Sequence, residues 1–193
     1  MVKRRVFIYL ASQSARRADL LNEHKIPFRR AFASYREIHR GHLIPSRLVK
    51  RHALGKAKGA VLPWVSKPAA REYVLGSDTI VWFNGKALGK PKTVRQAQTQ
   101  LEKMCGKFHW VYSGIALIER KTGKAKAAHA KTRVKFKDWN KKQVAGYLSR
   151  INPLDKAGGY AIQANPSIVE SYEGSLSNVI GLPMELLRNM LRM

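Results

Sequence analysis

The chain has 193 residues, of which 45% are hydrophobic, so it can build a sizeable core and lacks the composition of a disordered protein. No apolar run approaches the roughly 20 residues that a membrane-spanning helix requires, which excludes a transmembrane protein. The single cysteine, Cys105, excludes an intramolecular disulfide and a multi-cysteine metal site, and we therefore expect a cytoplasmic protein.

Basic residues dominate the charge. The 37 lysines and arginines face 12 aspartates and glutamates, which gives a net charge of +25. Such a surface attracts polyanions, including RNA, DNA and free nucleotides. The basic residues are spread along the whole chain, and no zinc-finger, basic-zipper or RNA-recognition pattern accompanies them. We therefore expect nonspecific nucleic-acid affinity at low salt rather than a specific groove.

Strand and helix patterns alternate from the N-terminus. Residues 6–11 form an apolar stretch that is too short for a signal peptide, and residues 6–12 are predicted to form a first strand. Ser14 can cap a helix that Pro27 ends, and Pro45-Ser46 opens a second helix. The apolar stripe of this second helix comprises Val49, Ala53, Ala57, Ala60 and Val61.

The middle of the chain is rich in strand signals. Strands are predicted at residues 73–83, 109–119 and 125–136, and the last two pair as a hairpin. Asn84-Gly85 and Thr122-Gly123 mark reversals of the chain.

Three helices complete the pattern. The first begins with a capping box formed by Thr93 and Gln96. Its apolar face comprises Ala97, Leu101 and Met104. The next carries Val144, Tyr147 and Leu148 and can be capped by Asp138, and the last spans residues 184–191 after Pro183. This alternation predicts an α/β domain with a mixed, extended sheet flanked by helices.

Asp78 is the carboxylate whose position is least expected. Magnesium and manganese prefer hard oxygen ligands, so a site for either ion must draw on the 12 acidic residues. Asp78 lies within residues 74–81, a run otherwise suited to a buried strand. Burying a carboxylate there is costly unless it binds a cation or hydrogen-bond donors. The alternative is a strand-end aspartate that caps a turn.

Lys56 follows Ala53 by three residues on the apolar stripe of the second helix. A lysine at the edge of such a stripe usually extends its ammonium to water. By position alone, therefore, Lys56 is interpreted as a solvated residue.

Three loops carry phosphate-binding signals. Ser12, Ser14, Arg16 and Arg17 bring two hydroxyls and two guanidiniums to the start of a helix, where backbone N–H groups favour phosphate. A generic strand–turn–helix with a serine cap has a similar pattern. Lys90 and Lys156 each lie in a glycine-bearing loop, a weaker signal in so basic a chain. His39 and His42, near Glu37, match no zinc spacing and are interpreted as surface residues.

Eight short motifs occur in a fixed order: LASQSARRADLL, Ser34-Tyr35-Arg36-Glu37, Ala53-Leu54-Gly55-Lys56-Ala57, Gly76-Ser77-Asp78-Thr79, Gly89-Lys90-Pro91, Val111-Tyr112-Ser113-Gly114, the segment 153–163 and the segment 177–183. Together they closely resemble the Maf family of nucleotide pyrophosphatases, over roughly residues 6–191. Gly55 departs from the family, which usually has alanine there.

This resemblance implies an elongated mixed α/β sheet like that of the inosine-triphosphate pyrophosphatases, with residues 1–193 forming one domain of two lobes and a central nucleotide cleft. It implies a nucleoside triphosphate substrate, clearance of nucleotides from the pool and a link to cell-division arrest. Asp78 would be the general base, and Mg²⁺ or Mn²⁺ would be held by Glu37, Asp78 and Asp155. The residues that would contact phosphate or hold the cleft are Ser12, Arg17, Lys56, Lys90 and Lys156.

The family has two branches. Arg16, Thr79 and Gln163 match the residues of the branch that acts on dTTP and UTP, whereas the 7-methyl-GTP branch typically has Trp, Gln and Glu there. The residues favour pyrimidine triphosphates, with 7-methyl-GTP as the second candidate substrate. The sequence also leaves open a non-catalytic regulator or a nucleic-acid-binding protein of the same fold, and it leaves open a homodimer.

Overall fold

The computed structural model describes residues 6–37, 44–63 and 71–192 of the chain. The strands within these residues are β1 Phe7–Ala11, β2 Phe28–Arg30, β3 Phe32–Ala33, β4 Ala60–Val61, β5 Glu72–Phe83, β6 Lys86–Leu88, β7 Phe108–Glu119, β8 Ala125–Phe136 and β9 Val169–Glu173. The helices are α1 Ala15–Glu23, α2 Pro45–Lys58, α3 Val94–Met104, α4 Lys141–Leu148, α5 Leu176–Ile180 and α6 Met184–Arg192, and a 3₁₀ turn spans Ala157–Gly159. Among the described residues, no helix is both long and apolar enough to cross a bilayer.

Seven strands form a mixed sheet. Its order is β2-β1-β5-β7-β8-β9, with β6 paired to β5, while β3 and β4 form a separate pair. Strand β1 is parallel to β2 and β5, and β6 and β9 are antiparallel to their partners β5 and β8. The predicted α/β class, with a mixed sheet and flanking helices, is confirmed.

The four predicted strands are confirmed as β1, β5, β7 and β8. Asn84 and Gly85 both have positive φ, 47° and 74°, as the predicted tight turn requires. This turn also folds the chain back into β6, which was not predicted.

Two of the helix predictions need correction. Ala60 and Val61 do not belong to α2, because the helix ends at Lys58 and both residues form β4, paired with β3. Asp138 does not cap α4, since Asn140 does so in a capping box with Gln143. His39 and His42 lie outside the described residues.

Two side-chain caps also differ from expectation. Ser14 occupies the N-cap of α1, but its side chain makes no capping hydrogen bond. Thr93 accepts a hydrogen bond from the backbone N–H of Gln96, as predicted, whereas the side chain of Gln96 accepts from Lys92 N rather than from the N-cap residue. The predicted capping box is therefore half formed.

The chain divides into two compact units. The first comprises residues 1–78, 113–130 and 181–193 as far as they are described, and the second comprises residues 79–112 and 131–180. In the first unit α2 packs its backbone directly on the sheet. A Cβ added at Gly76 of β5 would overlap the carbonyl oxygen of Ala53, and one added at Gly114 of β7 would overlap that of Val49. Glycine is required at both positions because the helix approaches so closely.

The core of the second unit contains a buried histidine. His109 Nε2 lies 2.9 Å from the hydroxyl oxygen of Tyr160, and the two rings pack edge to face together with Phe136. Burial lowers the pKa of His109 to about 4, so the imidazole is neutral at pH 7. Burial also raises the pKa of Tyr160, so its hydroxyl stays protonated.

The close approach of α2 to β7 gives a stability test. Gly114→Ala should lower the free energy of unfolding by about 2 kcal/mol or more, because the added methyl group meets helix backbone that cannot move aside. Gly146→Ala is the matched control, since Gly146 lies on α4 with open space around it and alanine is the better helix former there. Urea denaturation of both variants measures the difference. Equal stability of the two variants would contradict this packing.

Candidate active site

Lys56 lies between two carboxylates in the first unit. Its Nζ is 2.7 Å from Asp78 Oδ1 and 2.6 Å from Glu37 Oε1. The Lys56 side chain is only 17% exposed, and that of Asp78 is 6% exposed. The interpretation of Lys56 as a solvated residue, made from its helix position alone, is therefore wrong.

The packing of α2 on the sheet creates this cluster. Gly76 lies on β5 two residues before Asp78 and contacts the backbone of Ala53 and Ala57. Lys56 lies between these two alanines in sequence, so the same close approach carries its side chain to the strand. The long alkyl stem of lysine then reaches along the buried surface, and the ammonium meets Asp78 rather than water.

The second oxygen of Asp78 is suited to a cation. Asp78 Oδ2 is buried and has no hydrogen-bond partner among the described residues. A buried carboxylate oxygen is costly to leave unpaired. The described residues contain no cluster of three or more His, Cys, Asp or Glu side chains around one point. Magnesium commonly uses one or two carboxylates and takes its other ligands from water and substrate phosphates, so Asp78 and Glu37 fit such an ion.

Arg17 ties three segments of the first unit together. Its Nη1 donates to Ser12 Oγ at 2.9 Å and to the carbonyl oxygen of Ser77 at 3.0 Å, and its Nε donates to the carbonyl oxygen of Gly181 at 2.9 Å. Ser77 Oγ donates to the same Gly181 oxygen at 3.0 Å. Burial lowers the pKa of Arg17, and the negative charge of Asp78 partly offsets this effect. Arg17 therefore fixes the turn before α1 next to the strand that carries Asp78.

The structure thus brings together five of the predicted site residues, Ser12, Arg17, Glu37, Lys56 and Asp78, all in the first unit. Ser14 and Arg16 lie beside them at the start of α1, and the backbone N–H of Ser14 donates to Ser12 Oγ at 3.3 Å.

The remaining predicted residues belong to the second unit: Thr79, Lys90, Asp155, Lys156 and Gln163. Lys156 Nζ is 2.7 Å from Asp155 Oδ1 and donates to the carbonyl oxygen of Asn152 at 2.8 Å. The backbone N–H of Gly158 donates to the carbonyl oxygen of Gly89 at 2.9 Å, which holds the loops of Lys90 and Lys156 side by side. Lys90 and Gln163 are exposed.

Ser77, Gly181 and Tyr35 contribute to the site but were not predicted to do so. Ser77 and Gly181 are acceptors for Arg17, and Tyr35 packs on α2 beside Lys56. A glycine inside a strand, as at Gly76, is a sequence signal of close backbone approach and could have indicated where the helix packs. The backbone carbonyl oxygens of Ser77 and Gly181 could not be identified as acceptors from the sequence, because every residue has such an oxygen.

Comparison with known proteins gives a consistent result. The family model described as Maf-like protein matches residues 7–193. A dTTP/UTP pyrophosphatase of Desulfitobacterium hafniense strain Y51 is 39% identical over 186 residues, covering 95% of this chain and 83% of the relative. A dTTP/UTP pyrophosphatase of Gloeobacter violaceus is 40% identical over 187 residues, covering 96% of this chain and 95% of the relative.

Removal of the shared ammonium should destabilise the first unit. Lys56→Met leaves the buried Asp78 carboxylate uncompensated and should cost about 3 kcal/mol at pH 7. Denaturant unfolding measures the loss, with Lys58→Met as the control at an exposed position of the same helix. Equal stability of the two variants would contradict the cluster.

Proposed function

Because this chain belongs to the Maf family, we propose that it hydrolyses dTTP and UTP to the nucleoside monophosphate and pyrophosphate. The observation that carries the proposal is the buried ammonium of Lys56 held between Glu37 and Asp78. The names of the relatives support pyrimidine triphosphates as substrates, in agreement with the assignment of Arg16, Thr79 and Gln163 to the pyrimidine branch.

In the proposed reaction a water molecule attacks the α-phosphorus, and the bond from this phosphorus to the bridging oxygen breaks. Asp78 takes the proton of the water through Oδ2, the oxygen that Lys56 leaves unoccupied. The ion pair on Oδ1 holds the carboxylate in one orientation, so Oδ2 is presented in a fixed direction. Positioning of the attacking group in this way is a large part of catalysis.

A divalent cation, Mg²⁺ or Mn²⁺, would neutralise charge on the triphosphate oxygens when bound. Glu37 and Asp78 are the residues that we propose hold it. Glu37 suits this role because its side chain is 38% exposed and can reach an ion without losing all contact with water. Asp155 is assigned to the metal by resemblance, and in the second unit it pairs with Lys156.

The phosphate groups would be bound by cations and hydroxyls. Lys56 carries the positive charge nearest to the two carboxylates. Ser12, Ser14 and Arg16 lie at the start of α1, where backbone N–H groups and the helix dipole favour anions. Arg17 makes its hydrogen bonds to protein acceptors, so we assign it the holding role rather than direct contact. Lys90 and Lys156 keep the phosphate-binding role that the resemblance implies.

The experiment that tests this proposal is a pyrophosphate-release screen over natural and modified nucleoside triphosphates with Mg²⁺ or Mn²⁺. We expect the highest kcat/KM for dTTP and UTP. Turnover of 7-methyl-GTP without turnover of dTTP or UTP would overturn the substrate assignment. Triphosphate binding without pyrophosphate release would identify the non-catalytic regulator instead.

Asp78→Asn should lower kcat for dTTP by at least about 100-fold, because the amide cannot accept the proton from water. The fold should be retained, since asparagine has the same shape and Lys56 keeps its contact with Glu37. Circular dichroism and steady-state kinetics measure the two properties. Asp138→Asn, at an exposed aspartate, is the matched control. Unchanged turnover of the Asp78 variant would refute its role.

A second candidate activity, nonspecific binding of single-stranded nucleic acid, is favoured by one face of the second unit. On β7 and β8 the guanidinium of Arg133 lies 3.8 Å from the centre of the Phe108 ring, and the ammonium of Lys131 lies 5.0 Å from that of Trp110. Phe108 is 44% exposed. Trp110 is half-buried. Aromatic rings interleaved with cations are the arrangement that binds single strands without sequence preference.

This face should account for a disproportionate share of nucleic-acid affinity. Phe108→Ala with Arg133→Gln should weaken binding of a labelled oligothymidine by about tenfold or more at about 50 mM salt, since both a stacking ring and a phosphate contact are lost. Phe32→Ala with Arg150→Gln is the matched control, which removes another exposed ring and one charge elsewhere. Fluorescence anisotropy gives the dissociation constants. Equal weakening by both double variants would show that only net charge matters.

A further inference from the structure

Helix α2 carries Gly55 in its last turn and ends at Lys58, with Gly59 as its C-cap. Ser34 and Tyr35 lie against these two glycines. A Cβ added at Gly59 would overlap the carbonyl oxygen of Ser34. A Cβ added at Gly55 would overlap the ring of Tyr35, at atoms Cδ2, Cε2 and Cζ. The space that a side chain would fill at Gly55 is therefore occupied by the aromatic ring of Tyr35.

Residues 33–37 run antiparallel to the end of α2 and the residues that follow it. In the β3–β4 pair, Ala33 lies opposite Ala60. The backbone N–H of Ser34 then donates to the carbonyl oxygen of Gly59 at 2.8 Å. Tyr35 reaches Gly55, and its ring packs edge to face on the buried ring of His52 with centroids 5.7 Å apart. Two residues later, Glu37 reaches Lys56.

The ion pair alone does not explain where Glu37 lies. Its side chain is 38% exposed, and partly exposed ion pairs hold their partners weakly because water competes for both charges. The segment that carries Glu37 needs a second anchor close by. Tyr35 is a large side chain two residues away on that segment, and α2 fixes its ring at both Gly55 and His52.

Gly55 is unfavourable to the helix taken by itself, because glycine is a poor helix former and this position is interior to α2. The resemblance to the family leads one to expect alanine there. The ring of Tyr35 explains the glycine, because the methyl group of an alanine would overlap the ring and displace it from the helix.

We propose that Tyr35 is a positioning residue for the hydrolysis proposed above: its ring, seated in the space that Gly55 leaves on α2, sets the Glu37 carboxylate on Lys56 and beside Asp78. This inference rests on the proposed function for its kinetic test but not for its structural test. In this role Tyr35 itself touches no reacting atom. Its effect is exerted through Glu37.

The kinetic test compares four variants with the wild-type protein on dTTP. Gly55→Ala and Tyr35→Ala should each lower kcat by about 10- to 100-fold with KM changed much less, because Glu37 is displaced from its working position. The double variant should be no worse than Tyr35→Ala, since no ring remains to be displaced. Tyr35→Phe should stay within about twofold of the wild type, because the ring and not the hydroxyl fills the space.

Two controls separate positioning from loss of stability. Gly146→Ala makes the same change in a helix with open space around it and should leave kcat unchanged. In a Glu37→Gln background, Gly55→Ala should lower kcat by less than about twofold, because Tyr35 acts through Glu37. The proposal would be overturned if the losses of kcat were additive when Gly55→Ala is combined with Tyr35→Ala or with Glu37→Gln. Should Gly55→Ala fail to fold, the comparison of Tyr35→Ala with Tyr35→Phe still decides it.

A crystal structure of the Gly55→Ala variant gives a readout that does not depend on activity. We expect the Tyr35 ring to leave α2 and the Glu37 carboxylate to move beyond about 4 Å from Lys56 Nζ, the limit of an ion pair. An unmoved Glu37 would overturn the positioning role even if the wild-type protein hydrolyses dTTP. If Glu37 is displaced in the Gly55→Ala variant but the wild-type protein hydrolyses no triphosphate, the proposed function is refuted. The structural effect of the Tyr35 ring on the position of Glu37 is then still supported.

Discussion

The site depends on the distance between one helix and two strands. Helix α2 rests on the sheet through backbone contacts at Gly76 and Gly114, with no side chain between them. At an ordinary helix–sheet separation, Lys56 would project over the strand and reach solvent. In this structure its ammonium contacts the carboxylate of Asp78, so a lysine on an apolar stripe forms a largely buried ion pair.

The ion pair with Lys56 then determines which oxygen of Asp78 can take a further ligand. Its Oδ1 is occupied by Lys56, so any further cation or proton must come to Oδ2, which is buried and unpaired among the described residues. Glu37 shares the same ammonium from a more exposed position. Lys56 shares one positive charge between the two carboxylates and leaves Asp78 Oδ2 unpaired, which is a position suited to a divalent ion. The remaining cations at the start of α1 suit the substrate rather than the metal.

The sequence predicted the parts of this arrangement that a local pattern records. Asp78 was identifiable because a carboxylate in an apolar strand breaks the expected pattern, and the four predicted strands were identifiable as strand-like runs next to turn signals. The resemblance assigned Lys56 to the site, but its helix position alone was misinterpreted because the helical stripe cannot show whether a carboxylate faces it. Ala60 and Val61 continued the helical spacing past Gly59 and so concealed β4. The contacts of Ser77 and Gly181 with Arg17 use backbone oxygens, which every residue has.

Departures from local preference concentrate around one ion cluster. A glycine interior to α2, glycines inside β5 and β7, a buried aspartate and a largely buried lysine are each unfavourable when considered alone. Each is explained by another: Gly76 allows the close approach of α2, and α2 places Lys56 beside Asp78. The ammonium of Lys56 then compensates the buried charge of Asp78. Gly55 belongs to the same set, because it admits the ring on the segment that carries Glu37. Sequences are locally consistent except where function requires otherwise, so the interdependence of these exceptions supports our proposal that this cluster is the active site.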